Sequence, residues 1–161
     1  MSRIDTRLAE LGLVLPEPLK LPPGVTLPFP WVSTRGNRVY ISGHGPVDAD
    51  GSLSEPRGKV GADVTPEQAK ELAGKVALTI LSSLRDELGD LDRITGWCKI
   101  LGMVNSAPGF NNQPEVINGF TDIILDVFGP EVGRHTRSAV GLAELPFDIA
   151  VEIEGEVEIS L

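Results

Sequence analysis

An arginine and a glutamate in the C-terminal part of the chain are the residue types that could bind a small carboxylate and add water to it. The stretch Arg134 to Ile159 reads RHTRSAVGLAELPFDIAVEIEGEVEI. Arg137 lies there among small and apolar residues, Ser138, Ala139 and Val140. A guanidinium is permanently charged and presents a fork that matches a carboxylate bidentately. Further on, Val151, Ile153, Gly155, Val157 and Ile159 alternate with Glu152, Glu154, Glu156 and Glu158. In a strand the two sets point to opposite faces. The stretch reads as two strands joined by a turn at Leu145-Pro146-Phe147-Asp148, so a glutamate of the second strand could share a site with Arg137. A second reading is equally direct: a glutamate row opposite an apolar row is also what an ordinary solvated sheet face looks like.

Other reactive side chains carry less. Cys98 sits in the apolar run GWCKILGMV, where a buried inert thiol is the default. His44 and His135 have no cysteine or histidine at metal-binding spacing, and a zinc site would need Asp48 or Asp50 as a third ligand. The run GHGP at 43–46 lacks the lysine and helix start of a phosphate loop. No nucleophile elbow accompanies a serine.

The elements that must position Arg137 and Glu152 follow from pattern. Ile4, Leu8 and Leu11 recur at helical spacing, so residues 2–12 read as a short helix closed by Gly12. Six prolines between Pro16 and Pro30 make the next stretch an extended arm. WVSTRGNRVYISG at 31–43 reads as a hairpin turning at Gly36-Asn37. Residues 44–61 read as loop with at most one short strand. Thr65 and Gln68 form a capping box, with Pro66 at the first helical position. An apolar stripe from Ala69 to Leu84 follows, and Gly89 ends the helix. Residues 93–105 read as a strand. A second helix spans 114–128, its core face including Val116, Phe120 and Val127, its polar row Asn118, Asp122 and Asp126, and Gly129-Pro130 its stop. The order is that of an α+β domain with both long helices on one face of a sheet.

The 161 residues fit one domain, divided into a helix and proline-rich arm at 1–27 and a core at 28–161. Lysine plus arginine total 14 against 23 acidic residues, a net charge of -9. That balance disfavours nucleic acid and anionic membrane surfaces as partners. One cysteine precludes an intrachain disulfide and points to a reducing compartment. No apolar run approaches the roughly 18 residues of a membrane span, and the N-terminus lacks a secretory signal core. The expected location is the cytoplasm.

Several motifs, in order, resemble those of the Rid family, also called YjgF or L-PSP. Arg35-Gly36-Asn37 followed by Val39-Tyr40-Ile41-Ser42-Gly43 resembles the family hairpin. Arg137-Ser138, then Leu145-Pro146, then Val151-Glu152-Ile153-Glu154 resembles its signature. The likeness runs from about residue 28 to residue 159. It implies a chorismate-mutase-like, YjgF-like α+β fold: a six-stranded mixed sheet with two helices packed on one face. It also implies a homotrimer with clefts between subunits. In those clefts an arginine holds the carboxylate of a 2-imino or 2-enamino acid and a glutamate positions or activates water. No metal or cofactor is implied. Carried over by position, Arg137 is the carboxylate clamp and Glu152 the water-activating group. Phe29, Ser42, Gly43, Asn118 and Ala139 line the cleft. Phe29 stands where the family has a tyrosine, His44 where it has a glutamine, and Ala139 where it often has a cysteine. The resulting expectation is an imine or enamine deaminase. A carboxylate-binding or regulatory trimer without turnover is the alternative, and an endoribonuclease fits the net charge least.

Overall fold

The computed structural model describes residues 2–161. A short helix, α1 (Arg3–Glu10), leads into the proline arm and then a hairpin of β1 (Val32–Arg35) and β2 (Arg38–His44). The long helix α2 (Pro66–Leu88) precedes β3 (Ile94–Asn105). Helix α3 (Gln113–Val132), β4 (Thr136–Leu142) and β5 (Val151–Ile159) complete the chain. The five strands form one mixed sheet in the order β1-β2-β5-β3-β4, with β3 and β4 parallel and the other neighbours antiparallel.

The local predictions hold because local chemistry enforces them. Thr65 accepts from the Gln68 backbone N–H while the Gln68 side chain accepts from the Thr65 N–H, a closed capping box. Gly89 ends α2 with a positive φ of 76°. The buried stripe of α2 includes Leu72, Val76, Ile80, Leu81 and Leu84, each contributing on the order of 1.5–3 kcal/mol on burial. Regular α3 geometry breaks at Gly129, whose φ of 76° and ψ of 170° leave one last turn beyond it.

Two expectations are corrected at larger range. The sheet has five strands where six were expected. In the 44–61 stretch pairing shrinks to isolated bridges, Val47 with Leu53 and Val60 with Val64. Its polar side chains satisfy each other locally: the Ser54 hydroxyl donates to Asp48 at 2.7 Å and the Ser52 hydroxyl to Asp50 at 2.6 Å. Second, β4 and β5 do not pair. Strand β3 lies between them. The connection from Leu142 to Val151 must therefore step across two strand spacings, about 9–10 Å, and it does so over the end of β3. Asn105 ties the crossing down, its backbone N–H donating to Ala150 and its amide to the Ile149 carbonyl at 3.2 Å. The 31–43 hairpin buries Val39 and Ile41 in alternation as read. A register shift between Ile41 and His44 turns His44, rather than Gly43, toward the helices.

The proline arm lies on its own chain. Glu17 and Lys20 donate backbone N–H groups to the carbonyls of Ala49 and Gly51, and the Ser82 hydroxyl of α2 donates to the Pro16 carbonyl. Helix α1 is tethered likewise. Asp92 accepts from the backbone N–H of Arg3 and Ile4, and Ile4 and Leu8 enter the main core.

Both long helices cover one face of the sheet and cross at glycine. A Cβ on Gly119 of α3 would stand 2.0 Å from the Lys70 carbonyl oxygen of α2. Backbone cannot swing aside as a side chain can, so Gly119→Ala must separate the helices. It is expected to cost about 1–3 kcal/mol or more, lowering the melting temperature by about 2–4 °C per kcal/mol in a chain of this length. Gly96→Ala, which meets nothing within 4 Å, is the control for thermal melts. An equal drop in both variants would show that the close crossing is not the cause.

Candidate functional site

Arg137 and Glu152 lie on opposite faces of the sheet. Along β5, Val151, Ile153, Val157 and Ile159 are buried under the helices, so Glu152 projects from the other face. Its carboxylate fills the space that Gly43 leaves: a Cβ there would stand 2.1 Å from Glu152 Oε1. Ser42 is next to it and donates its hydroxyl to the Pro30 carbonyl at 2.9 Å. Phe29, half-exposed, packs edge-on against Trp31 with ring centroids 6.3 Å apart. Ser42, Gly43 and Glu152 thus form one group, whereas the ring of Phe29 meets Trp31. Burial pushes the Glu152 carboxyl above the usual glutamate range, and the charge of Glu154 adds to the rise.

Arg137 belongs to a second group on edge strand β4, turned toward α3. Its Nη1 donates to Thr121 Oγ1 at 2.9 Å. Its Nη2 donates to Asn118 Oδ1 at 2.7 Å and to the Pro114 carbonyl at 3.1 Å. These acceptors stand at helical positions i, i+4 and i+7, one face of α3. Thr121 is backed by His135, whose Nε2 lies 3.0 Å from the hydroxyl and whose Nδ1 lies 2.8 Å from the Gly133 carbonyl. A carbonyl only accepts, so Nδ1 carries the proton and Nε2 accepts from Thr121. Burial lowers the His135 pKa, with the Arg137 charge adding to the fall, so the ring is neutral and the relay consistent. Ala139, two residues along on the same face, packs against the core.

The electrostatics of this second group are one-sided. All three Arg137 acceptors are neutral, and no carboxylate forms an ion pair with it among the described residues. The nearby Glu115 is engaged by Lys70 at 2.7 Å and by the Asn118 amide at 3.1 Å. Three of the five guanidinium donors are used, so Nε–H and one Nη1–H remain for a ligand. A held cation with spare donors and no counter-ion is suited to an anion.

Of the expected residues, one chain therefore gathers Arg137, Asn118 and Ala139 at one place and Glu152, Gly43 and Ser42 at another. The hairpin expectation that the pair could share a site within a chain fails, because β3 separates their strands and the alternation turns them apart. Thr121 and His135 were missed. The signal was the Asn118-to-Thr121 spacing, which shares a helix face, whereas Asp122 and Asp126 of the expected polar row are exposed. The other glutamates are structural or solvated. Glu156 pairs with Arg38 at 3.2 Å, Glu158 accepts from Asn37 at 2.7 Å, and Glu154 is exposed. Cys98 is a thiol raised in pKa by burial, not a poised nucleophile. Among the described residues no three His, Cys, Asp or Glu side chains group to hold a metal, and no helix is long and apolar enough to cross a membrane.

Comparison with known proteins bears on the fold and its family. No protein-family model matches the chain. Protein TCP17 of Trypanosoma cruzi is 39% identical over 162 residues, covering 99% of this chain and 96% of that protein. The crystal structure of Atu1372 from Agrobacterium tumefaciens, a protein of unknown function, superposes with a TM-score of 0.85 at 38% identity, over 98% of this chain and 92% of that one. A Shewanella oneidensis protein described as a candidate endoribonuclease gives a TM-score of 0.85 at 26% identity, over 97% and 99% of the two chains. An L-PSP protein from Entamoeba histolytica shares the fold at 20% identity, with a TM-score of 0.54 over 85% and 92%.

Proposed function

The chain belongs to the YjgF/L-PSP (Rid) family, and from that premise we propose that it hydrolyses small 2-imino or 2-enamino acids to 2-oxo acids and ammonia in clefts between the subunits of a homotrimer. The observation that carries the reading is the unpaired Arg137 guanidinium, held by three neutral oxygens with two N–H groups to spare. It clamps the substrate carboxylate and leaves the neighbouring C=N carbon in a fixed place. Glu152 of the partner subunit, set beside Gly43 and Ser42, takes a proton from water as the oxygen attacks that carbon. The C=N π electrons move to nitrogen, which takes up the proton that Glu152 removed from water; a 2-enamino acid first tautomerises to the imine by taking a proton at its β-carbon. The resulting carbinolamine releases ammonia as its hydroxyl becomes the carbonyl. The opposed faces of Arg137 and Glu152 in one chain support the cleft: only a second copy can bring the two groups to one substrate.

The test is ammonia release when an amino-acid oxidase generates the imine in situ. A rate above that of buffer, lost in Arg137→Ala, is the expected result. No acceleration, with a 2-oxo acid still bound and recovered unchanged, would replace this reading with a carboxylate-binding trimer without turnover.

A further inference from the structure

A second cavity lies between the proline arm, the start of β1 and α2, on the helix side of the sheet and away from both Arg137 and Glu152. Its volume is about 260 Å³, room for about nine water molecules at roughly 30 Å³ each. This is the space of a fragment-sized ligand rather than a drug-sized one. The arm and the register shift in β2 create it, since the arm lays Pro18 and Leu19 across α2 while the shift turns His44 inward.

The walls are apolar and aromatic. Trp31 packs against His44 with ring centroids 5.0 Å apart and the rings tilted by 46°. The imidazole is fully engaged: Nδ1 lies 2.6 Å from the Ser42 carbonyl and Nε2 lies 2.9 Å from the Ser83 hydroxyl. Burial lowers its pKa to about 4, the Ser42 hydrogen bond opposing the fall only in part. It therefore adds a neutral ring to the wall and no charge. The charge comes from the rim, where Glu17, Asp86 and Glu87 stand and no lysine or arginine does. Glu87 already accepts from the Thr34 hydroxyl at 2.8 Å. Asp86 and Glu17 have no side-chain partner among the described residues.

An aromatic wall beneath unpaired carboxylates selects against the anions that Arg137 would take. It favours a cation with an apolar body, held by the Trp31 ring face and the rim charges. We propose that this cavity is a binding site for a small organic ammonium ion of about the size of benzylammonium, separate from the carboxylate site.

The test is titration of the whole protein with benzylammonium at neutral pH, followed by tryptophan fluorescence and calorimetry. Saturable binding is expected, clearly tighter than for neutral benzyl alcohol, with benzoate showing none. Asp86→Lys, at an exposed position, should weaken binding roughly tenfold without changing the thermal melt. Arg137→Ala should leave it unchanged, so a failed deaminase reading would not touch this one. The proposal is overturned if benzylammonium does not saturate, if benzyl alcohol binds as well, if Asp86→Lys binds like the parent, or if Arg137→Ala abolishes binding.

Discussion

Arg137→Ala should lower kcat/KM for imine hydrolysis by about 30- to 4,000-fold, since truncating one side of a hydrogen-bonded charge pair typically costs about 2–5 kcal/mol. The same substitution should barely move the thermal melt. Arg137 makes no ion pair, and the acceptors it would release, Asn118 and Thr121, are only half-buried on a helix already stabilised by Val116, Phe120 and Ile124. Arg137→Lys separates charge from geometry. An ammonium keeps the charge but cannot bond Thr121, Asn118 and Pro114 in one plane while keeping N–H donors free for a ligand. Its rate should fall between the parent and the alanine variant, with most of the loss in KM. Thr121→Val removes the acceptor that fixes Nη1 and strands His135 Nε2, and should raise KM more than it lowers kcat. A parent-like rate in Arg137→Ala would end the assignment of this guanidinium to the substrate.

What could be read in the chain without coordinates divides by range. The α2 capping box, the Gly36-Asn37 hairpin turn and the Val151–Ile159 alternation are decided by side chains a few residues apart, and each is found where the pattern puts it. Strand order is decided by contacts between distant segments, and there the reading failed. Nothing in Thr136–Ile159 shows that β3 must slip between β4 and β5. A turn after Leu145 is compatible with either a hairpin or a crossing. That difference puts a strand between Glu152 and Arg137, and the alternation of each strand turns the two side chains to opposite faces. The register shift at Ile41–His44 was hidden for the same reason, because period-two alternation carries no mark of an extra residue. A motif resemblance identified Arg137 and Glu152 as a pair of roles. The backbone shows that one chain holds them apart, on opposite faces of the sheet.

Glu152→Gln tests the proposed base, and its effects on rate and stability should run in opposite directions. Glutamine keeps the size of the side chain and cannot take a proton, so the loss of general-base assistance should lower kcat by about 10²–10⁴-fold with KM little changed. In the parent, the rate should fall as pH drops through the Glu152 pKa, which burial holds above the usual glutamate range; the variant should lose that limb. Stability follows from the same shift. The folded state binds a proton more tightly than the unfolded chain, so between the ordinary value of 4.5 and the raised one the native state carries more protons. Rising pH through that window therefore costs stability, and the cost persists at neutral pH. Glu152→Gln removes it, and should melt at or above the parent temperature at pH 7 while turning over far more slowly. Gly43→Ala provides the companion result. Its Cβ would stand 2.1 Å from Glu152 Oε1 and must displace the carboxylate, so the rate should fall although no ionisable group is lost. If Glu152→Gln lost stability in step with activity, Glu152 would be one more structural member of the glutamate row. A gain or no change in stability beside a lost pH limb is what a carboxylate kept for chemistry must show.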